Sequence, residues 1–143
     1  MKFNTKAIHG GQEPDKAYGA VMTPIYQTST YAQSTPGGHK GYEYSRSANP
    51  TRTALENALA SLENGNHGLA FASGLAALDA VIKLLEPGDE VISSNDLYGG
   101  SYRLFTKVFA KFGIVFHFVD MQNANGITDH INELTKLIRV ETP

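Results

Sequence analysis

Three short stretches carry residue types suited to gripping a phosphorylated, conjugated ligand. In AFASGLAALDAVIKLL at 70–85, an apolar run passes through Ser73-Gly74 directly into an amphipathic helical pattern. A glycine at such a turn lets a ligand approach the main chain, and the N–H groups of Gly74 and Leu75 have no intrahelical partner, so the pair suits an anion such as phosphate. The same dipeptide also permits plain tight packing of strand against helix, and the stretch has neither the GxGxxG nor the GxxxxGK spacing of nucleotide sites. In DLYGG at 96–100, Tyr98 can lay its ring on a flat conjugated ligand while Gly99 and Gly100 leave room; it can equally be a turn tyrosine capping the core. Arg103, one turn further on, is either a solvated charge or a carboxylate clamp. In EYSRSANPTR at 43–52, Tyr44 and Arg46 lie two apart in an extended segment and project to one side, from which both reach one phosphate; the alternative is a capped helix start with surface ions.

These residues need elements to hold them. Asn49-Pro50 opens a helix, with Asn49 as cap and Pro50 at the first helical position; Leu55, Leu59 and Leu62 mark its buried face until Asn64-Gly65. Residues 68–73 read as a buried strand. From Gly74 the apolar positions Leu75, Leu78, Ile82 and Leu85 repeat at helical spacing, and Pro87-Gly88 stops the helix. A strand over 90–93, a helix over 101–112 ended by Gly113, a strand over 114–119, a short helix over 128–134 capped by Thr128 and a strand over 137–140 follow. Strands alternating with helices predict an α/β fold with a mostly parallel sheet, right-handed crossovers and flanking helices. Ligands in such sheets gather outside the carboxyl ends of the strands, the edge where Tyr98 and the Ser73-Gly74 turn fall.

Residues 1–48 have no sustained period and read as an extended arm, and the α/β portion begins at 49 and runs to 143. Five of the seven tyrosines, Tyr18, Tyr26, Tyr31, Tyr42 and Tyr44, lie in that arm, which therefore packs either as a surface meander or over another subunit. The 12 basic and 14 acidic residues are dispersed and leave a net charge of -2, with no patch that calls for nucleic acid or an anionic membrane. The absence of cysteine removes disulfides, thiol nucleophiles and thiolate metal sites together, and the five histidines lack ligand spacing, so no metal is expected. With no signal-like or membrane-spanning run, the expected location is the cytoplasm.

In order and spacing, IHGGQ at 8–12, GAVMTPIYQTSTYAQ at 19–33, EYSRSANPTR at 43–52, LAFASGLAA at 69–77, NDLYGGSYRLF at 95–105 and VETP at 140–143 resemble the cystathionine γ-synthase and γ-lyase group. This is the Cys/Met-metabolism branch of fold-type I pyridoxal 5'-phosphate (PLP) enzymes. The resemblance implies that Gly74 and Leu75 hold the PLP phosphate with their main-chain amides. It further implies that Tyr44 and Arg46 reach across a dimer interface to the neighbour's phosphate, and that Tyr98 stacks on the pyridine ring and moves a proton as the catalytic residue. Arg103 and Glu43 match positions associated with substrate recognition. A homo-oligomer, a dimer of dimers, is implied as well.

The resemblance also implies residues that this chain does not contain. The family's Schiff-base lysine, the aspartate that pairs with the pyridine nitrogen and an asparagine after the VETP strand fall beyond residue 143, and none of the eight lysines here sits in the family's lysine motif. The chain is accordingly expected to be an N-terminal piece, inactive alone, of a trans-sulfuration enzyme acting on cystathionine or an O-acylhomoserine. Gly100, where methionine γ-lyases carry cysteine, points away from that relative, and Glu43 with LAFASGLAA leans toward the γ-lyase. Arg139 departs from the family, which usually places an apolar or aromatic residue there. Two other readings compete: a non-catalytic fragment that docks onto a complementary C-terminal chain, and an unrelated phosphate-binding α/β module.

Overall fold

The computed structural model describes residues 1–122 and 124–142, in two units, Met1–Ala70 and Phe71–Pro143. The first is organised on helix α2, Pro50–Leu62. Asn49 caps it as its sequence chemistry requires: the side-chain oxygen accepts the Thr51 N–H at 2.9 Å, and Pro50 occupies the first turn. The Asn49 amide nitrogen also donates to Tyr26 O at 3.1 Å and Ser45 Oγ at 3.1 Å, which fastens the arm to the helix start.

The arm contains a helix, α1 at Phe3–His9, where no helical face is readable in the sequence. It buries no residue and is held instead by one cation. Lys6 Nζ donates to Ser61 O at 3.1 Å and Asn64 Oδ1 at 2.6 Å, at the end of α2 where orphan carbonyls and the helix dipole favour positive charge. Gly10 and Gly11 permit the approach. A Cβ on Gly10 would lie 2.6 Å from Ser61 Oγ, and one on Gly11, at φ 70°, would strike the Asn57 carbonyl.

Residues 68–73, expected as a strand, form none. Gly68 runs against the Glu56 main chain and Ala70 N–H donates to Glu56 Oε1 at 3.0 Å, so that donor is spent on α2 rather than on a ladder.

The second unit is a parallel three-stranded sheet with order β2-β1-β3, made of β1 (Glu90–Ser94), β2 (Val115–Val119) and β3 (Thr135–Arg139). Helix α3, Gly74–Ile82, precedes it; α4, Gly99–Arg103, links β1 to β2; α5, Ala124–Thr128, links β2 to β3. The α/β class and the parallel pairing expected from sequence are present, with three strands where four were expected.

Register explains the core. Val91 pairs with Phe116 and Leu137, and Ser93 with Phe118 and Arg139, so these side chains share one face. Phe105, fully buried, lies flat on Phe116 with centroids 4.5 Å apart and planes 11° apart, and Ile82, Phe109 and Ile114 complete the cluster. An irregularity between Glu90 and Val91 shifts β3 by one residue and leaves Lys136 outside the paired register.

Three element boundaries differ from the sequence reading for local reasons. Helix α3 stops at Ile82 rather than Leu85, because Leu84 and Leu85 N–H groups bond to Val81 O and Ile82 O, a tightening into three-residue turns. The expected 101–112 helix begins at Gly99, widens into a π turn over Leu104–Val108 and narrows to a 3-10 turn over Phe109–Phe112. Thr106 Oγ1 donates back to Tyr102 O at 2.8 Å where the ladder changes. Thr128 ends a helix instead of capping one. The following turn is made by Asn132, whose Oδ1 accepts the Leu134 N–H at 2.8 Å.

Candidate functional site

At the head of α3, Ser73 is extended and its hydroxyl accepts the Ala76 N–H at 3.1 Å, while Ala77 N–H bonds to Ser73 O. The amides of Gly74 and Leu75 have no partner among the described residues. Both residues are exposed, and beyond the neighbouring residues and its own helix nothing lies within 4 Å of where a Gly74 Cβ would sit. Two main-chain donors without partners, an open approach and the positive end of a nine-residue helix are features that suit an anion.

Tyr98 sits at the carboxyl edge of the sheet, four residues past β1, and is 63% exposed. Its main chain is tied from below: Tyr98 N–H donates to Glu141 Oε2 at 3.1 Å and Tyr98 O accepts the Tyr102 N–H at 3.1 Å. The ring leans over Gly100, where a Cβ would strike Cε1 and stand 2.9 Å from Cδ1. A cavity of about 530 Å³ opens beside it, reaching Asp96, Asp120, Gln122 and Glu141 at the ends of all three strands. Three carboxylates there suit no phosphate. Gly74 and Leu75 are not among the residues that line it. Arg103 ends α4, exposed, with Nη1 3.5 Å from a Gly99 Cβ position and no ion pair among the described residues.

The other three candidates belong to the first unit. Thr30 and Tyr44 form an antiparallel bridge, flanked by Tyr31 N–H to Glu43 O at 3.1 Å and Ser45 N–H to Ser29 O at 2.8 Å. Residues 45–47 are a turn rather than extended chain, so strand alternation is not what brings Tyr44 and Arg46 to one side. The Arg46 guanidinium lies 5.0 Å from the centroid of the Tyr44 ring, a cation–π contact. Both are exposed, as is Glu43.

Two supporting residues have no assigned role in the sequence reading. Arg52 donates to Ser45 O at 3.2 Å and Ser47 O at 2.7 Å and so grips the turn that presents Arg46. Glu141 holds Tyr98. Its carboxyl lies below the usual carboxylate range, first because Arg139 donates to it at 2.6 Å and also because of the Tyr98 N–H; partial burial opposes the shift. The available signal was topological: residues just past β1 and β3, neighbouring parallel strands, meet at one edge. Among the described residues there is no group of three metal-ligating side chains, and no helix is long and apolar enough to cross a membrane.

A family model described as Cys/Met metabolism PLP-dependent enzyme matches residues 4–143. The chain is 54% identical over 142 residues to a cystathionine beta-lyase of Coxiella burnetii, covering 99% of this chain and 37% of that protein. It is 52% identical over 141 residues to a probable cystathionine gamma-synthase of Herpetosiphon aurantiacus, with coverage of 99% and 44%. Among solved structures, a cystathionine gamma-lyase from Lactobacillus plantarum complexed with L-serine superposes with a TM-score of 0.92 at 46% identity, over 99% of this chain and 37% of that one. The chain thus spans well under half the length of the relatives it matches.

Proposed function

Since the chain belongs to the Cys/Met metabolism PLP-dependent enzyme family, we propose that it is the cofactor-grasping portion of a trans-sulfuration enzyme of the cystathionine lyase or synthase type. The substrate would be cystathionine or a related γ-substituted amino acid. The observation that carries this reading is the pair of unpartnered, exposed amides at Gly74 and Leu75 with open space before them. A phosphate dianion needs donors of that kind, and the residues fit PLP in that respect.

When bound, PLP supplies an electron sink that stabilises negative charge at the substrate's α-carbon. The chain's own contributions are binding, orientation and proton handling. Gly74 and Leu75 N–H groups take the phosphate. Tyr98 gives the conjugated ring a flat, water-excluding wall, and its Oη can receive or deliver a proton. Tyr44 Oη and the Arg46 guanidinium supply phosphate donors to a neighbouring copy, while Arg103 and Glu43 face substrate. Exposure of the arm's apolar side chains, Tyr18 at 96% and Met22 at 81%, supports a second subunit as the surface that covers them. None of the residues given roles here forms the family's covalent link to PLP or pairs its pyridine nitrogen.

The test compares PLP with pyridoxal, which lacks the phosphate, by equilibrium dialysis of the intact protein. PLP should bind more tightly, and Gly74→Asp should weaken PLP and spare pyridoxal. Equal binding of the two ligands, unaltered by Gly74→Asp, would refute the reading.

A further inference from the structure

We propose that Arg139 and Glu141 are positioning residues that hold Tyr98 at the sheet edge through one continuous polar strap. Arg139 Nη2 donates to Glu141 Oε2 at 2.6 Å and stands 3.4 Å from Ser101 Oγ, and the same Glu141 oxygen accepts the Tyr98 main-chain N–H at 3.1 Å. The strap thus ties the end of β3 to both sides of the α4 start. Arg139 is itself anchored: its guanidinium carbon lies 5.7 Å from the centroid of buried Phe105, and its side chain is 18% exposed.

Packing alone gives no reason for a guanidinium at this position. The face it shares is that of Val91, Leu137, Phe105 and Phe116, and Arg139 Nη1 and Ser93 Oγ, on register-paired residues, are both buried without a partner among the described residues. Burying a charge there costs free energy that an apolar residue would not. What the arginine adds is a fixed carboxylate, aimed at the Tyr98 main-chain donor just before α4. An ion pair that is neutral or unfavourable for folding, yet orders a neighbouring loop, is acting through geometry. The ring it orders lies over Gly100, so fixing the Tyr98 backbone fixes where the phenol sits. That this ring then serves PLP rests on the function proposed above; the strap itself does not.

The proposal separates stability from positioning, and hydrogen exchange of the intact protein, read by mass spectrometry together with a thermal melt, measures both. Arg139→Leu should leave the melting temperature unchanged or raise it, while exchange of segment 96–100 quickens several-fold and that of β1, residues 90–94, stays as in the parent. Glu141→Ala strands the guanidinium and can cost the fold, so the double variant Arg139→Leu/Glu141→Ala provides the clean removal; it should quicken exchange at 96–100 by about tenfold. Glu141→Gln, which keeps an acceptor oxygen, should retain much of the protection. Unchanged exchange at 96–100 in the double variant, or equal quickening in β1, would overturn the strap. Failure of the parent to bind PLP would instead sink the functional reading and leave the exchange result standing.

Discussion

The Ser73 hydroxyl accepts the Ala76 main-chain N–H at 3.1 Å, and by taking that donor it leaves the amides of Gly74 and Leu75 as the free ones at the head of α3. Ser73 is therefore a cap that also sets which main-chain donors stay free. Ser73→Ala should lower stability by about 1 kcal/mol, the usual cost of a lost N-cap, measured as a shift in the denaturant midpoint. Ser73→Thr should restore it. A midpoint unmoved by the alanine variant would show that the cap contributes nothing.

Phe105 is the keystone of the second unit, fully buried and stacked on Phe116. Truncation to alanine removes a large, fully buried aromatic from the core and should cost about 3–5 kcal/mol. Chemical denaturation of Phe105→Ala against Phe105→Leu checks it, with the leucine variant retaining most of the stability.

Gly100 leaves the space that the Tyr98 ring occupies. In Gly100→Ala the new methyl would displace the ring, whereas exchanging glycine for alanine in a helical turn favours folding by about 0.5–1 kcal/mol. The two effects run in opposite directions. A variant that melts no lower than the parent but binds PLP several-fold more weakly is the expected outcome; undiminished binding would mean that the ring's seat is unimportant.

Glu90, like Glu141, contributes a pH dependence. Its carboxylate accepts Asn132 Nδ2–H at 2.9 Å and meets His117 Nε2 at 2.7 Å, and these contacts, Asn132 foremost, hold its pKa below the usual carboxylate range despite some opposing burial. The folded value is thus lower than the unfolded one. The stabilisation is complete above the ordinary carboxylate pKa and disappears as pH falls through the folded value. Melting temperature should consequently fall more steeply with acidification in the parent than in Glu90→Gln, and parallel curves would contradict the assignment.

What the sequence disclosed was chemistry that acts locally. The Asn49-Pro50 start of α2 was readable because cap and proline act on the next turn, and the alternation of strands with helices announced the parallel sheet. Helix α1 was hidden because a single lysine, not an apolar stripe, docks it. The hold of Arg52 on the 45–47 turn and of Glu141 on Tyr98 depends on folded proximity, which no periodicity records. Residues 68–73 looked like a strand because an apolar run says nothing about where its hydrogen bonds go. Gly74, Leu75 and Tyr98 were legible as candidates from the small residues around them, whereas the gathering of Asp96, Asp120 and Glu141 at one cavity was visible only in three dimensions.

The strand order β2-β1-β3 has a consequence for synthesis on the ribosome. The innermost strand is made first and gains its early neighbour soon after, but its other row of amides and carbonyls stays unanswered until Thr135–Arg139 has emerged. The Tyr98 corner is therefore assembled only after β3: the nascent chain would carry a half-paired β1, open to mispairing, until Arg139 and Glu141 arrive.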